Sequence, residues 1–270
     1  MMTAARVPWA FFRRDMRIET SYKAGFVLRI GGALITVAVF YFISRVFGEA
    51  AGVRIDNYGG NYFAFVLIGI ALTEYVGQGI GGLGASIRES QTTGTLELML
   101  LSPTRMSTVL LSSSLWTYAS ATMSVGTYFV AGALLGVDFS AANVPVALLA
   151  LGLTLVSYSG LGLLAAALVI LVKRGNPLGW LIRGGSVVLG GVFYPTDVLP
   201  AGLQTVAQAL PVTHSLDVLR RSVLLGEGFE QVAGGLVALV LLSAVYIPLG
   251  LLAFAGAIRI ARTDGSLGHY

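Results

Sequence analysis

Residues 191–221 read GVFYPTDVLPAGLQTVAQALPVTHSLDVLRR. Two apolar runs lie in and just beyond this stretch, Leu199–Leu210 and Val212–Leu225, and Pro211 divides them. Each is about a dozen residues long, whereas a helix that crosses a bilayer needs about 20. Pro195 and Pro200 bracket a turn into the first run, because proline fixes φ and cannot donate to a preceding turn. Tyr194 beside Pro195 is the aromatic anchor expected at a span end. Segment 195–231 is therefore expected to be a re-entrant or interfacial helix pair that dips into the outer leaflet and returns.

The segments around it are of another kind. Downstream, Val232–Ile260 is long and apolar, with Pro248 expected to kink it. Upstream lie Pro177–Tyr194, short and Gly-rich, and Val144–Val172, with Pro145 near its start, where proline is tolerated. Met106–Gly136, Tyr62–Ile87 and Phe26–Phe47 complete six expected crossings. Composition agrees: 56% of the 270 residues are hydrophobic and 11% charged, and mean hydropathy is +0.82. A soluble domain carries about 25% charged residues, so this chain lacks the polar surface to cover itself in water. The 35 glycines are scattered, as close helix packing in lipid requires. There is no Cys, hence no disulfide framework.

Charge placement orients the spans. Of the 17 basic residues, 13 fall on one side of the six-span scheme, among them Arg13, Arg14, Arg17, Arg88, Arg105, Lys173 and Arg259. Arg45, Arg54, Arg220 and Arg221 fall on the other. The positive-inside rule then places both termini in the cytoplasm. Residues 8–24 read as an imperfect amphipathic helix, with Arg13, Arg14 and Arg17 on one arc and Trp9, Phe12 and Met16 opposite. Such a helix is expected to lie along the inner leaflet. Arg13-Arg14 faintly resembles a twin-arginine signal, but the following apolar stretch is long enough to span and has no small-residue cleavage site, so no cleaved signal is expected.

Several chemistries find no residues. The two lysines, Lys23 and Lys173, end no G-x-x-x-x-G-K-[ST] loop, so ATP hydrolysis by that route is not expected of this chain. His214 and His269 alone make a metal site improbable. The nearest thing to an intramembrane serine nucleophile is Ser157-Tyr158-Ser159-Gly160, which has no base in a neighbouring span and reads as packing residues. The charge is explained by topology, and no nucleic-acid partner is expected. Glu74 is the deepest acid in any span and Gln78 lies one turn on. An intramembrane ionisable group marks a pathway by default, although the two residues equally suit a mutual pair.

The connection after the second span carries the remaining signal: Arg88-Glu89-Ser90-Gln91-Thr92-Thr93-Gly94-Thr95-Leu96-Glu97-Leu98-Met99-Leu100-Leu101-Ser102-Pro103. It reads as a polar turn followed by a short helix capped near Thr93 or Thr95 and stopped by Pro103. A short cytoplasmic helix with an acid and several leucines suits the groove of a soluble partner. This stretch and the 191–221 stretch, in this order, resemble the ABC type-2 permease family, the membrane subunits of bacterial exporters for polysaccharides, lipids and drugs. Arg88, Glu89, Gly94, Thr95, Leu96, Glu97 and Pro103 match one family pattern. Gly191, Tyr194, Pro195, Leu199, Pro200, Leu210, Pro211, Leu219 and Arg220 match another.

The resemblance implies an all-α membrane domain over residues 1–270, in the plasma (inner) membrane, with 88–103 as a coupling segment seated on a separate nucleotide-binding ATPase subunit. It implies a second permease as dimer partner and membrane lipids around the pair. ATP and Mg would be held by the ATPase, and no cofactor by this chain. Tyr194, Pro195, Pro200, Pro211 and Arg220 would form an outer re-entrant gate. The family's polysaccharide exporters carry a basic aromatic stretch resembling Phe11-Phe12-Arg13-Arg14-Asp15. Tyr41, Phe42, Tyr58, Tyr62 and Phe63 could stack on sugars but are first an interfacial aromatic belt. The competing reading from another class is a non-transporting membrane scaffold or assembly subunit.

Overall fold

The structure, a computed structural model, describes residues 6–21, 23–52, 55–92, 106–172 and 176–263. Among these there are nine α-helices and no strand. They are α1 (Arg6–Ser21), α2 (Lys23–Gly52), α3 (Tyr62–Thr92), α4 (Met106–Leu134), α5 (Val144–Val172), α6 (Pro177–Leu189), α7 (Ala201–Gln208), α8 (Pro211–Leu224) and α9 (Phe229–Thr263). Short 3₁₀ turns at Asp56–Tyr58 and Thr196–Val198 precede α3 and α7.

Among the described residues, three stretches are long and apolar enough to cross a membrane: Val27–Val46 in α2, Val144–Val172, which is α5, and Phe229–Ile260 in α9. Each alternates buried and lipid-accessible positions without a polar face, as a helix solvated by hydrocarbon permits. Pro248 lies inside α9, where neighbouring helices and lipid depth tolerate it. The amphipathic segment expected over 8–24 is α1, displaced slightly toward the N-terminus. Its ring face docks on α4: Trp9 stacks on Phe12 at 5.5 Å, and Phe12 meets Trp116 edge-on at 5.5 Å. Arg13, Arg14 and Arg17 are exposed.

α5 is the hub. Its most extensive partner is α9, and bare backbone makes the approach possible. A Cβ on Gly160 would sit 2.5 Å from the Tyr246 carbonyl carbon, and one on Gly250 would sit 2.4 Å from the Gly160 oxygen. Hydroxyls then join the helices. Ser157 Oγ lies 2.6 Å from Ser243 Oγ of α9, and Thr154 Oγ1 lies 2.5 Å from Ser215 Oγ of α8. Tyr158 OH lies 2.9 Å from Ser186 Oγ of α6, and Ser159 Oγ 3.1 Å from Tyr118 OH of α4. Small residues with interhelical hydroxyl bonds are how helices associate where burial of apolar surface offers little driving force. The Ser157–Gly160 run is therefore interhelical glue, each hydroxyl committed to a different neighbour.

Two bounds differ from the sequence-based expectation. The span expected over Pro177–Tyr194 is a helix only to Leu189. Its 13 residues cover about 20 Å, short of the ~30 Å hydrocarbon core. Gly191, at φ +82°, then turns the chain in a conformation that disfavours side chains. The polar turn expected from Arg88 is instead the end of α3, which continues to Thr92. Residues 88–92 contain no Gly or Pro to stop a helix, and the first such residue is Gly94. Gly94, Thr95, Leu96, Glu97 and Pro103 lie outside the described residues.

Candidate functional site: the α7–α8 hairpin and its arginine clasp

The chain leaves α6 through a turn at residues 190–195, enters α7, reverses at Leu210 and enters α8. Three prolines stand where the geometry wants them. Pro195 precedes the 3₁₀ turn, Pro200 is the N-cap of α7, and Pro211 is at the first position of α8, where its missing N–H is no loss. Tyr194 OH donates to the Val188 carbonyl and ties the turn back to α6. The reversal is fixed at the C-terminal end of α7, whose last carbonyls have no partner within the helix. Thr213 Oγ1 donates to Ala207 O at 2.7 Å, His214 Nε2 lies 2.8 Å from Gln208 O, and Tyr246 OH of α9 donates to Ala209 O at 2.6 Å. His214 is thus a hydrogen-bonding residue of the hairpin bend.

Arg220 is the centre of the site. It is 2% exposed, and its guanidinium reaches three backbone carbonyls. Nε donates to Phe65 O at 3.2 Å, Nη1 to Gly191 O at 2.9 Å and Nη2 to Val192 O at 3.0 Å. The same guanidinium lies over the Phe65 ring, 3.3 Å from its centroid, with the Tyr58 ring 5.7 Å away. One side chain of α8 therefore binds α3 to the turn after α6. The planar five-donor fork of arginine suits such a role, and a lysine could not reproduce it. Gly69 makes room: a Cβ there would fall 2.4 Å from Val192 O and 3.1 Å from Arg220 Nη2.

A small charge network surrounds the clasp. Tyr58 OH donates to Asp217 Oδ1 at 3.0 Å, Arg221 Nη1 lies 3.6 Å from Asp217 Oδ2, and Arg221 Nε lies 2.7 Å from Glu227 Oε2. Two cations and two carboxylates thus share one end of α8. Burial pulls the Arg220 pKa down, opposed by Tyr58 and Asp217, but an arginine stays charged at neutral pH. Burial, reinforced by the charge and hydrogen bond of Asp217, pushes the Tyr58 phenol up to about 12. The loop before α5 rests on the end of α8 as well. Asn143 N donates to Ser222 O at 2.8 Å, and Gly226, at φ +68°, leaves no space for a Cβ beside Ala141 O.

A profile of the ABC-2 type transporter family matches residues 9–224, from the amphipathic helix through α8. The chain belongs to the ABC-2 type transporter family. Its relatives include Nodulation protein J of Rhizobium leguminosarum bv. trifolii, 27% identical over 175 residues, which are 64% of this chain and 66% of that protein. The chain thus spans just under two thirds of that relative's length. Nodulation protein J of Rhizobium leguminosarum bv. viciae is 24% identical over 226 residues, 83% of this chain and 85% of that protein.

The remaining expected site residues of this ABC-2 permease fall elsewhere. Glu74 and Gln78 are half-buried on α3, and no hydrogen bond joins them among the described residues. Between them in sequence, Gly77 has the Arg183 guanidinium of α6 against its bare backbone, 2.9 Å from where a Cβ would stand. Arg88 and Glu89 lie in the last turns of α3. The structure does not bring Glu74 or Gln78 to the hairpin site. Sequence reasoning missed Phe65, Gly69 and Asp217, and placed Tyr58 only among the interfacial aromatics. The i,i+4 spacing of Asp217 and Arg221 was visible, but the pairing of Tyr58 across 159 positions was not.

An open cavity of about 700 Å³ lies beside the 3₁₀ turn, lined by Tyr41, Ser44, Arg45, Asn61, Tyr62 and Phe63 among others. Arg45 lies over the Tyr41 ring at 5.4 Å and donates to its hydroxyl at 3.1 Å. Three of the five aromatics expected at the interface, Tyr41, Tyr62 and Phe63, line it.

Proposed function

We propose that this ABC-2 permease is the membrane subunit of an ATP-driven exporter, paired with a second permease copy or paralogue and powered by separate nucleotide-binding ATPase subunits. The observation that carries the reading is the family match across 9–224, which includes both the 88–103 segment and the hairpin. In this reading α2, α3, α4, α5, α6 and α9 are six crossings, with α6 a short one completed by the turn to Tyr194. Both termini lie on the cytoplasmic side of the plasma (inner) membrane, as 13 of 17 basic residues suggest. Arg88, Glu89, Gly94, Thr95, Leu96 and Glu97 form the ATPase-coupling element. Tyr194, Pro195, Pro200, Pro211 and Arg220 form the outer gate, held at the α8 end. Glu74 and Gln78 face the path.

The substrate is a lipid, a glycan or a drug-like molecule. Among these the outer cavity favours a hydroxyl-rich one, because its lining mixes aromatic faces with an arginine, a serine and an asparagine. The test is co-purification with the ATPase and export in cells after Glu97→Arg or deletion of Gly94–Leu98. Both are expected to be lost while the permease stays in the membrane. Survival of both overturns the coupling assignment. Stimulation of the complex's ATPase activity across a lipid, glycan and drug panel identifies the substrate class.

A further inference from the structure

A second cavity lies at the other end of α2 and belongs to neither the hairpin site nor the cavity beside the 3₁₀ turn. It is a crevice of about 490 Å³ between α1, α2 and α4. On α4 its wall runs from Trp116 through Ser120 and Ser124 to Thr127, positions that recur on one helical face. Eleven residues at 1.5 Å per residue make about 16 Å, which is about half the ~30 Å hydrocarbon core. The crevice is one leaflet long. Ile30 and Ala33 of α2 form the facing wall.

The wall is hydrocarbon-like despite its hydroxyls. Ser120 Oγ donates to Thr117 O at 3.0 Å, Ser124 Oγ to Ser120 O at 3.2 Å and Thr127 Oγ1 to Met123 O at 3.2 Å. Each is turned back on its own helix, so the crevice presents methyl and methylene groups and no spare donor from these residues. A sugar or a charged group would be stranded there, whereas an acyl chain loses nothing. The mouth is different. Trp116 sits at the level of the interfacial helix, where tryptophan is enriched, with Thr20 of α1 and Arg29 of α2 beside it. Arg13 and Arg17 are exposed on the same arc of α1 as Thr20, so the entrance lies in a positive field.

We propose that this crevice is a binding site for a bilayer phospholipid with an anionic headgroup, one acyl chain lying along α4 from Trp116 to Thr127 and the phosphate drawn to Arg29 and the basic arc of α1. The lipid is a resident of the leaflet that α1 borders and is not the cargo. The inference does not depend on ATPase coupling, and its failure leaves that reading untouched.

The test uses the full permease–ATPase complex in phosphatidylcholine nanodiscs. Each preparation carries a trace of phosphatidylglycerol or of phosphatidylcholine with a photoreactive diazirine in the acyl chain, and adducts are mapped by mass spectrometry. The anionic probe is expected to label residues 116–127 about five-fold more than the zwitterionic one, the preference that one arginine near the surface supplies. Arg29→Gln, which removes the charge at the mouth and leaves the α4 wall unchanged, is expected to remove that preference. Ser124→Phe, which fills the crevice, is expected to abolish labelling by both probes at 116–127, while adducts at the lipid-facing Leu241 and Leu252 of α9 persist and report an intact fold. Equal labelling by the two headgroups overturns the proposal, as does undiminished labelling in Ser124→Phe with α9 adducts intact. Displacement of the probe by the transported substrate also overturns it, and would make the crevice part of the export path.

Discussion

The two helices of the α7–α8 hairpin have opposite relations to the rest of the molecule. α7 is apolar in sequence yet lies on the surface. Leu203 and Val206 are 41% and 50% exposed, and only Ala207 is buried. α8 is the more polar of the two, yet Ser215, Ser222 and Arg220 are buried within it alongside Val212, Leu216 and Leu219. In water this would be an inversion. In a bilayer it is what the physics requires: an apolar surface costs nothing against lipid, whereas a polar group needs a protein partner. α8 is thus the enclosed half and α7 the exposed half. Adjacent arginines repeat the lesson. Arg220 is enclosed by carbonyls and rings, while Arg221 faces outward to two carboxylates and contributes little.

The strongest way to break this contrast is to remove the clasp. Arg220→Leu leaves the carbonyls of Gly191 and Val192 without a donor, and unpartnered buried polar groups cost about 1–3 kcal/mol each. A loss of roughly 2–5 kcal/mol is expected, seen as a lowered thermal unfolding midpoint in detergent. Hydrogen exchange is expected to speed in residues 190–195 as well as in α8. Arg220→Lys should recover only a minor part, since one ammonium cannot reach three elements in a plane. If exchange in 190–195 is unchanged, the clasp does not hold α8 to that turn.

Gly69→Val attacks the same contact from α3. The added Cβ would meet Val192 O at 2.4 Å, so helix and turn must part. Overpacking of this kind costs about 1–3 kcal/mol. Because the added side chain presses on the Val192 carbonyl that Arg220 binds and on the guanidinium itself, 3.1 Å from the Cβ position, the combined Gly69→Val and Arg220→Leu variant should lose less than the sum of the two. Additive losses in melting experiments would mean that the two residues act separately.

How much of this was legible beforehand follows from which forces are local. The long apolar runs gave α5 to the residue and α2 and α9 to within three to five residues at each end, and the prolines at 195, 200 and 211 marked the hairpin's turns, because span length and backbone donors are properties of short stretches. The exposure of α7 and burial of α8 were not legible, since composition alone would bury the more apolar α7 and expose α8. Their difference is set by Tyr58, Phe65 and Gly191, far away in the chain. Arg220 was picked out by its place in a motif and assigned to the water side by charge counting, which cannot tell a solvated arginine from one fed by carbonyls. The short α6 was misjudged for the same reason: the turn that ends it is held from α8.

A smaller effect sharpens the contrast through pH. Tyr58 is neutral in the fold, and burial and Asp217 raise its pKa from 10.0 to about 12. Stability from the neutral phenol is therefore complete below pH 10, where folded and unfolded states are both protonated, and is lost as pH rises from 10 toward 12. Wild-type melting midpoints should fall across that window, and Tyr58→Phe should flatten the fall. The substitution also costs about 1 kcal/mol at neutral pH for the lost bond to Asp217. An unchanged alkaline slope in Tyr58→Phe would assign the transition to another group.

The smallest effect belongs to α7, and its smallness is the point. Val206→Ser and Leu203→Ser replace exposed side chains that no other part of the chain encloses. Surface changes of this kind fall within about 0.5 kcal/mol, so melting midpoints should stay within error of the wild type, against the large loss at Arg220 one helix away. If α7 is the mobile half of an outer gate, export should respond where stability does not, because apolar residues facing lipid or a path set the equilibrium between gate positions without holding the fold together. A drop in export with an unmoved midpoint separates gating from folding. A drop in both would show that α7 is packed against something this single chain does not contain, and the second permease would be the first place to look.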